Sequence, residues 1–166
     1  MGSVLCPFCG TAKTRIAARR SVADRLLGCV RIYPFRCQLC AEQFHTFLGC
    51  HADCPRRNFE RVAVDFPVWF KPLCSSPAEL GYEGVMLDLS IRGCRIRSAY
   101  PVAPGTRLEL EFQHSNNSFP ITVDEAVVRS SSPGELGLRF VQLHRPDQRR
   151  IRGILDLWLS EPWPVH

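Results

Sequence analysis

The chain has 166 residues, 45% of them hydrophobic and 22% charged, with a formal net charge of +5. That balance is ordinary for a globular protein of one domain or two small ones, and no stretch approaches the roughly 20 apolar residues of a membrane span. No basic segment running into an apolar one marks a secretory signal, and Cys6 stands where myristoylation after Met1-Gly2 needs Ser or Thr, so a cytoplasmic location is expected. The charge is uneven: residues 1–61 hold ten Lys or Arg against four Asp or Glu, and residues 62–166 hold eleven against twelve. Only Lys13 and Lys71 are lysines. A bias that broad is a property of the whole composition, and arginine abundance alone is no evidence of phosphate binding.

The first 48 residues show little strand alternation and carry two C-x-x-C pairs, Cys6-Pro7-Phe8-Cys9 and Cys37-Gln38-Leu39-Cys40. Between them Val22, Leu26 and Leu27 fit a short amphipathic helix that Gly28 would end. Nine cysteines, an odd number grouped towards the front of the chain, read as metal binding before disulfides. Each pair can form a tight turn presenting two thiolates, and four thiolates suit tetrahedral Zn²⁺ at about 2.3 Å, whereas magnesium and calcium prefer oxygen. A segment this short buries too little apolar surface to fold unaided, and zinc supplies apparent binding energies on the order of 10–16 kcal/mol. Four protein ligands leave no position for water, so zinc at Cys6, Cys9, Cys37 and Cys40 is expected to be structural. The competing reading is free cysteines in a disordered arm. Gly10 supplies a permissive backbone after the first pair, and Phe44 is placed to pack beneath the metal. Cys50, His51 and Cys54, with His45 nearby, read as linker or packing residues before a second metal site. Cys29, Cys74 and Cys94 read as small core hydrophobes. The segment from residue 6 to about 47 resembles a zinc ribbon. Ribbons bind nucleic acid, bind protein or brace a neighbour, and the resemblance does not choose among these.

Residues 49–61 form a polar, arginine-rich connection containing Pro55. Strand signals follow at Val62–Phe70, Val85–Leu89, Cys94–Arg97, Arg107–Phe112, Ile121–Arg129 and Leu136–Leu143. Turn clusters separate them, among them Pro104-Gly105, Ser115-Asn116-Asn117-Ser118 and Ser132-Pro133-Gly134. Six short strands divided in this way predict an antiparallel barrel or sandwich. Ile151, Ile154, Leu155 and Trp158 recur at helical spacing, between Pro146 and Pro162, and predict a terminal helix.

Two strings carry the chemistry. Arg56-Arg57-Asn58-Phe59-Glu60-Arg61 brings three guanidinium groups to the entrance of a sheet. A guanidinium donates two parallel hydrogen bonds to a phosphodiester or to guanine O6 and N7, and it stacks on purine faces. Asp88-Leu89-Ser90-Ile91-Arg92-Gly93 sets a carboxylate, a hydroxyl and a glycine at one strand edge. The carboxylate complements the N1–H and N2–H₂ donors of guanine, the hydroxyl adds a contact, and the glycine leaves room for a flat base. Each string also has a plain reading, a solvated arginine run in a linker and a hairpin connection. Arg92 and Arg95 are candidate neighbours.

The order of these features, an arginine string, a strand, D-x-S-x-x-G, further strands and a terminal helix, resembles the PilZ domain over about Pro55 to Leu159. The R-x-x-x-R element is Arg57 to Arg61 with Arg56 preceding it, and Leu136-Gly137-Leu138-Arg139-Phe140 looks like the family's last strand. The resemblance implies a six-stranded β-barrel that binds cyclic di-GMP. It further implies that Arg56, Arg57 and Arg61 hold phosphates and guanine edges while Asp88, Ser90 and Gly93 receive a guanine. The expected organisation is therefore mainly β: a zinc-ribbon-like domain at 1–48, an arginine-rich ligand arm at 49–61, and a PilZ-like antiparallel barrel with its C-terminal helix at 62–160.

The function expected is that of a non-enzymatic second-messenger receptor. Its arm should be mobile without ligand, because the arginines repel one another, and should dock on the barrel with it. Docking would reorient the zinc module, which would then present a surface to a protein or nucleic-acid partner. The alternative is a nucleic-acid-binding regulator that uses the basic ribbon, with affinity falling steeply as salt rises. No G-x-S-x-G elbow, H-E-x-x-H or phosphate loop supports catalysis, and His114 and His144 lack a nucleophile partner.

Overall fold

The computed structural model describes residues 4–19, 21–48, 58–74, 81–115 and 118–159. Its larger sheet follows from simple alternation. Along β4 (Val62–Pro72), Val62, Val64, Phe66, Val68 and Phe70 are buried while the residues between them are exposed. With β5 (Tyr82–Ser90), β6 (Gly93–Arg97), β7 (Arg107–Phe112), β8 (Ile121–Ser132) and β9 (Glu135–Gln142), β4 forms a closed antiparallel barrel in the order β4-β5-β6-β9-β8-β7. Closure pairs every strand on both sides and so removes the edges at which open sheets aggregate. The interior is filled by Phe70, Met86, Leu89, Ile96, Leu108, Leu110, Phe112 and Ile121. Phe66 stacks nearly parallel to Phe112 at 6.4 Å between centroids.

The six expected strands are present, several of them longer than expected. The β8–β9 ladder runs to the pair Ser132↔Glu135, so Ser132 belongs to the strand and not to the turn. The turn needs only Pro133 and Gly134, and Gly134 takes φ +77, a conformation glycine adopts without a steric penalty. The terminal helix, α2 (Arg145–Trp158), begins at Arg145. Pro146 is tolerated in the first turn, where a backbone N–H has no helical partner. Ile151, Ile154 and Leu155 are buried as the spacing predicts, but Trp158 is half exposed and Leu159 is the buried residue at this end.

The front of the chain holds a second, three-stranded antiparallel sheet, in the order β1 (Thr14–Ile16), β2 (Ile32–Cys37), β3 (Gln43–Phe47). Alternation misses it because β1 is three residues long and β2 is buried on both faces over Tyr33, Pro34 and Phe35. The helix α1 (Val22–Cys29) also differs from its sequence reading. Its buried residues are Asp24 and Gly28, while Val22 and Leu26 face solvent. Polar chemistry sets this orientation. Ser21 and Asp24 form a reciprocal capping box, and Asp24 Oδ1 meets His45 Nε2 on β3 at 2.9 Å. Gly28 does not end the helix. The chain leaves through Val30, and Arg31 adopts φ +61. Gly28 instead makes room for the Arg19 guanidinium, which lies 4.8 Å from the Tyr33 ring centre.

By its contacts the chain divides into two compact units, one drawn from Met1–Glu60 and Asp156–His166, the other from Arg61–Leu155. Within the first, Lys13 Nζ donates to the Leu159 carbonyl at 2.8 Å.

Candidate functional site

The second string folds as a tight hairpin. Ser90 pairs with Gly93, Leu89 with Cys94 and Asp88 with Arg95, so β5 and β6 are joined by Ile91 and Arg92 alone. Strand alternation sends Met86, Leu89, Cys94 and Ile96 into the barrel and puts Asp88, Ser90 and Arg95 on the opposite face. A register shift between Met86 and Asp88 sits just before this group. Ser90 Oγ donates to the Gly93 carbonyl at 3.0 Å, which locks the turn. Gly93 is required by β9: a Cβ here would overlap the Leu138 carbonyl and lie 3.1 Å from Arg139 Cα. The fold demands this glycine whether or not a base approaches it.

Asp88 is nearly buried and takes two arginines. Arg61 Nη1, just ahead of β4, lies 3.0 Å from Oδ1, and Arg95 Nε lies 3.0 Å from Oδ2. Arg95 also reaches Glu135 on β9 at 3.3 Å. Burying a carboxylate costs free energy that such partners offset. The structure thus joins one residue of each string, Arg61 and Asp88, on one outer face of the barrel, with Ser90 and Gly93 in the adjoining turn. Arg92 is exposed at that turn, whereas Arg56 and Arg57 lie outside the described residues. Arg61 engages Asp88 through Nη1 alone, at 3.0 Å from Oδ1 and 3.4 Å from Oδ2. The role of Arg95 was legible in principle: counting outward from a two-residue turn at Ile91-Arg92 pairs it with Asp88. Glu135 carried no sequence signal, because β9 becomes its neighbour only when the barrel closes.

The four paired cysteines converge. The Sγ atoms of Cys6, Cys9, Cys37 and Cys40 all lie within 4.8 Å of one another, with Cys6–Cys40 and Cys9–Cys37 each at 3.6 Å. A tetrahedron of Zn–S bonds of about 2.3 Å has sulfur–sulfur edges of about 3.8 Å, so this donor set fits zinc. The two turns are built alike. Cys6 N donates to the Thr11 carbonyl and Cys37 N to the Glu42 carbonyl, five residues on in each case. The residue after each second cysteine is left-handed, Gly10 at φ +74 and Ala41 at φ +65. Burial pushes the Cys37 and Cys40 thiols up, and their crowding adds to this for Cys40. At Cys6 burial acts the same way, but hydrogen bonds from the Phe8 and Cys9 backbone outweigh it and hold the thiol down. A coordinated cation would deprotonate all four. Phe44, expected beneath the metal, stacks on Phe35 at 5.9 Å.

The remaining cysteines divide. Cys94 is fully buried in the barrel, and burial, helped by the Asp88 charge, pushes its thiol up. Cys29 and Cys74 are exposed and are not the core residues expected, since each ends or follows an element whose core face lies elsewhere. His45 is engaged by Asp24, while Cys50, His51 and Cys54 lie outside the described residues. His114 is exposed, edge-on to Phe66 at 6.5 Å, and His144 reaches Asp124 at 3.3 Å.

The described end of the arginine-rich connection, Asn58 to Arg61, is held by hydrogen bonds and a ring contact. Asn58, Phe59 and Glu60 each contact the four-cysteine unit, chiefly through Gln38, a residue to which the sequence reading assigned no role. Among the described residues no helix is long and apolar enough to cross a membrane.

Residues 55–157 match the family described as PilZ domain. No curated protein matches the chain. Among solved structures, the inhibitor of motility MotI/DgrA of Bacillus subtilis is 16% identical, with a TM-score of 0.51 over 74% of this chain and 62% of its own. The PilZ domain of YcgR from Escherichia coli, solved with c-di-GMP, is 18% identical, with a TM-score of 0.49 over 63% of this chain and 92% of its own. The PilZ domain of CeSA from a cellulose-synthesizing bacterium is 16% identical, with a TM-score of 0.47 over 59% and 97%.

Proposed function

The chain belongs to the PilZ domain family across residues 55–157, and from that premise we propose that it is a cyclic di-GMP receptor that works by binding, not by catalysis. The observation that carries the reading is the 3.0 Å contact between Arg61 and Asp88, one from each of the two strings that the ligand would have to engage together. Arg56, Arg57 and Arg61 hold phosphate oxygens and guanine edges. Asp88 accepts from a guanine, Ser90 adds a hydroxyl, and Gly93 keeps the turn flat beside it. On binding, Arg61 exchanges part of its contact with Asp88 for the ligand. The carboxylate is then free to receive the N1–H and N2–H₂ donors, a trade between charge-assisted hydrogen bonds of similar strength. Arg95 stays on Asp88 and Glu135 and keeps the carboxylate in place.

In this proposal Cys6, Cys9, Cys37 and Cys40 hold a structural Zn²⁺ that braces the first unit, a closed site with no position for water. Ligand binding at the arm changes the setting of that unit, which then engages a protein partner. Exposed Val22 and Leu26, four apart on α1, support an apolar contact of this kind.

Calorimetric titration of cyclic di-GMP tests the reading. Wild type is expected to bind and the Arg57→Ala/Arg61→Ala variant to give no heat, while equal heats from both would overturn it. Small-angle scattering tests the reorientation: curves that superpose with and without ligand remove that step and leave the binding in place.

A further inference from the structure

Gln38 lies inside the second C-x-x-C pair, one residue after Cys37 and two before Cys40. It is 4% exposed, and both ends of its amide are engaged. Nε2 donates to the Arg36 carbonyl at 3.1 Å and to the Asn58 carbonyl at 3.1 Å, and Oε1 accepts from Glu60 N at 2.6 Å. The orientation is unambiguous, because the reverse amide would set a donor against an N–H and an acceptor against two carbonyls. The same three-residue stretch is held at further points. Asn58 Oδ1 accepts from Ala18 N at 3.2 Å, the Arg36 guanidinium lies 5.4 Å from the Phe59 ring centre, and Arg15 reaches Glu60 at 3.7 Å.

Asn58, Phe59 and Glu60 are the three residues between the arginines of R-x-x-x-R. Arg61 follows Glu60 directly, so the backbone that Gln38 grips carries the ligand-binding guanidinium groups on either side. Gln38 in turn depends on the cysteine turn. Its own N–H donates to the Lys13 carbonyl at 2.9 Å, and Cys37 Sγ accepts from the N–H groups of Leu39 and Cys40 at 3.4 and 3.3 Å. Two sulfurs bound to one cation fix the path of the residues between them. Without the cation, the sulfur atoms lose their shared centre. Gln38 then has no fixed place from which to reach Asn58 and Glu60.

We propose that Gln38 is a positioning residue that couples metal loading of the four cysteines to nucleotide affinity, by holding the middle of the arginine element in its binding conformation. The inference rests on the cyclic di-GMP reading and adds to it a dependence on the metal. Preordering the arm lowers the entropy lost on binding, and the coupling is reciprocal: whatever factor the metal contributes to nucleotide affinity, the nucleotide returns to metal affinity.

The test uses the full zinc-loaded chain as wild type, Gln38→Ala and Arg61→Ala. Metal content, cyclic di-GMP titration and hydrogen exchange at the Glu60 amide are followed in each. Gln38→Ala should keep one zinc per chain, exchange the Glu60 amide faster, and bind cyclic di-GMP about tenfold more weakly, the effect of one or two net hydrogen bonds. In wild type, saturating cyclic di-GMP should raise zinc affinity about tenfold in competition with a chromogenic chelator, and in Gln38→Ala it should not. Wild-type nucleotide affinity in Gln38→Ala, or a zinc affinity in wild type that ignores the nucleotide, overturns the coupling and leaves the receptor reading standing. A wild type that takes up no cyclic di-GMP overturns the receptor reading and this inference with it. The wild-type zinc competition needs no variant, so it decides the coupling even if Gln38→Ala folds poorly.

Discussion

The barrel and the four-cysteine unit are held together by different physics. The barrel closes on itself, and its strands bury a continuous apolar interior from Val62 to Phe140. The four-cysteine unit has strands of three, six and five residues and a helix whose buried residues are Asp24 and Gly28. Beside a few buried apolar residues, Tyr33, Phe35 and Leu39 among them, its order draws on polar devices: a capping box, the Asp24–His45 contact, the Gln38 amide and four converging thiols. A small unit with few apolar contacts can respond to a ligand or a metal, whereas a closed barrel with a dense core serves as a fixed platform.

The sharpest way to break this comparison is Cys37→Ser. Loss of one thiolate should release the proposed zinc and, with it, stabilisation on the order of 10 kcal/mol. The first unit should lose its cooperative unfolding while the calorimetric transition of the barrel stays; a barrel that melts together with it would show that the two are not independent. The converse is Phe70→Ala. Removing this fully buried ring should cost the barrel about 3–5 kcal/mol with metal content unchanged, measured by denaturant unfolding and metal analysis.

These two variants also mark what could be read beforehand. Alternation made the barrel legible, since Val62 to Phe70 and Leu108 to Phe112 declare an inner and an outer face in the chain itself. The C-x-x-C spacing marked the thiol cluster in the same way. The small sheet was not legible, because β1 is only three residues long and β2, buried on both faces over Tyr33, Pro34 and Phe35, carries no period. The outward face of α1 was misread, because apolar spacing cannot reveal that a buried Asp24 finds His45. On the outer face of the barrel, the two motif strings named Arg61, Asp88, Ser90 and Gly93. Arg95 needed the hairpin register, and Glu135 needed barrel closure.

Two smaller effects sharpen the contrast. Gly93→Ala places a Cβ against the Leu138 carbonyl and should destabilise the barrel by about 1–3 kcal/mol through overpacking, visible as a lower midpoint of the barrel transition with metal content intact. A midpoint equal to wild type would mean that β9 yields. Asp24→Ala removes the acceptor for Ser21 N and for His45 and should cost the first unit about 1–2 kcal/mol. That loss should appear as easier metal release in chelator competition, with the barrel unaffected.

Sequence alone determined what depends on local order: the strand period, the turn residues, the spacing of thiols that fit one cation, and the two strings that carry arginines and a carboxylate. Only the tertiary structure decided which of these meet. Arg61 reaches Asp88 because β4 and β5 pair through Ala63↔Asp88, and Glu135 joins because β6 pairs with β9. Gln38, silent in the chain, gains its partners because the cysteine turn lies against Asn58 and Glu60, about twenty residues away along the chain. Local patterns follow from backbone geometry that each residue carries with it, whereas contacts between distant segments exist only after loop closure has been paid for by the whole fold.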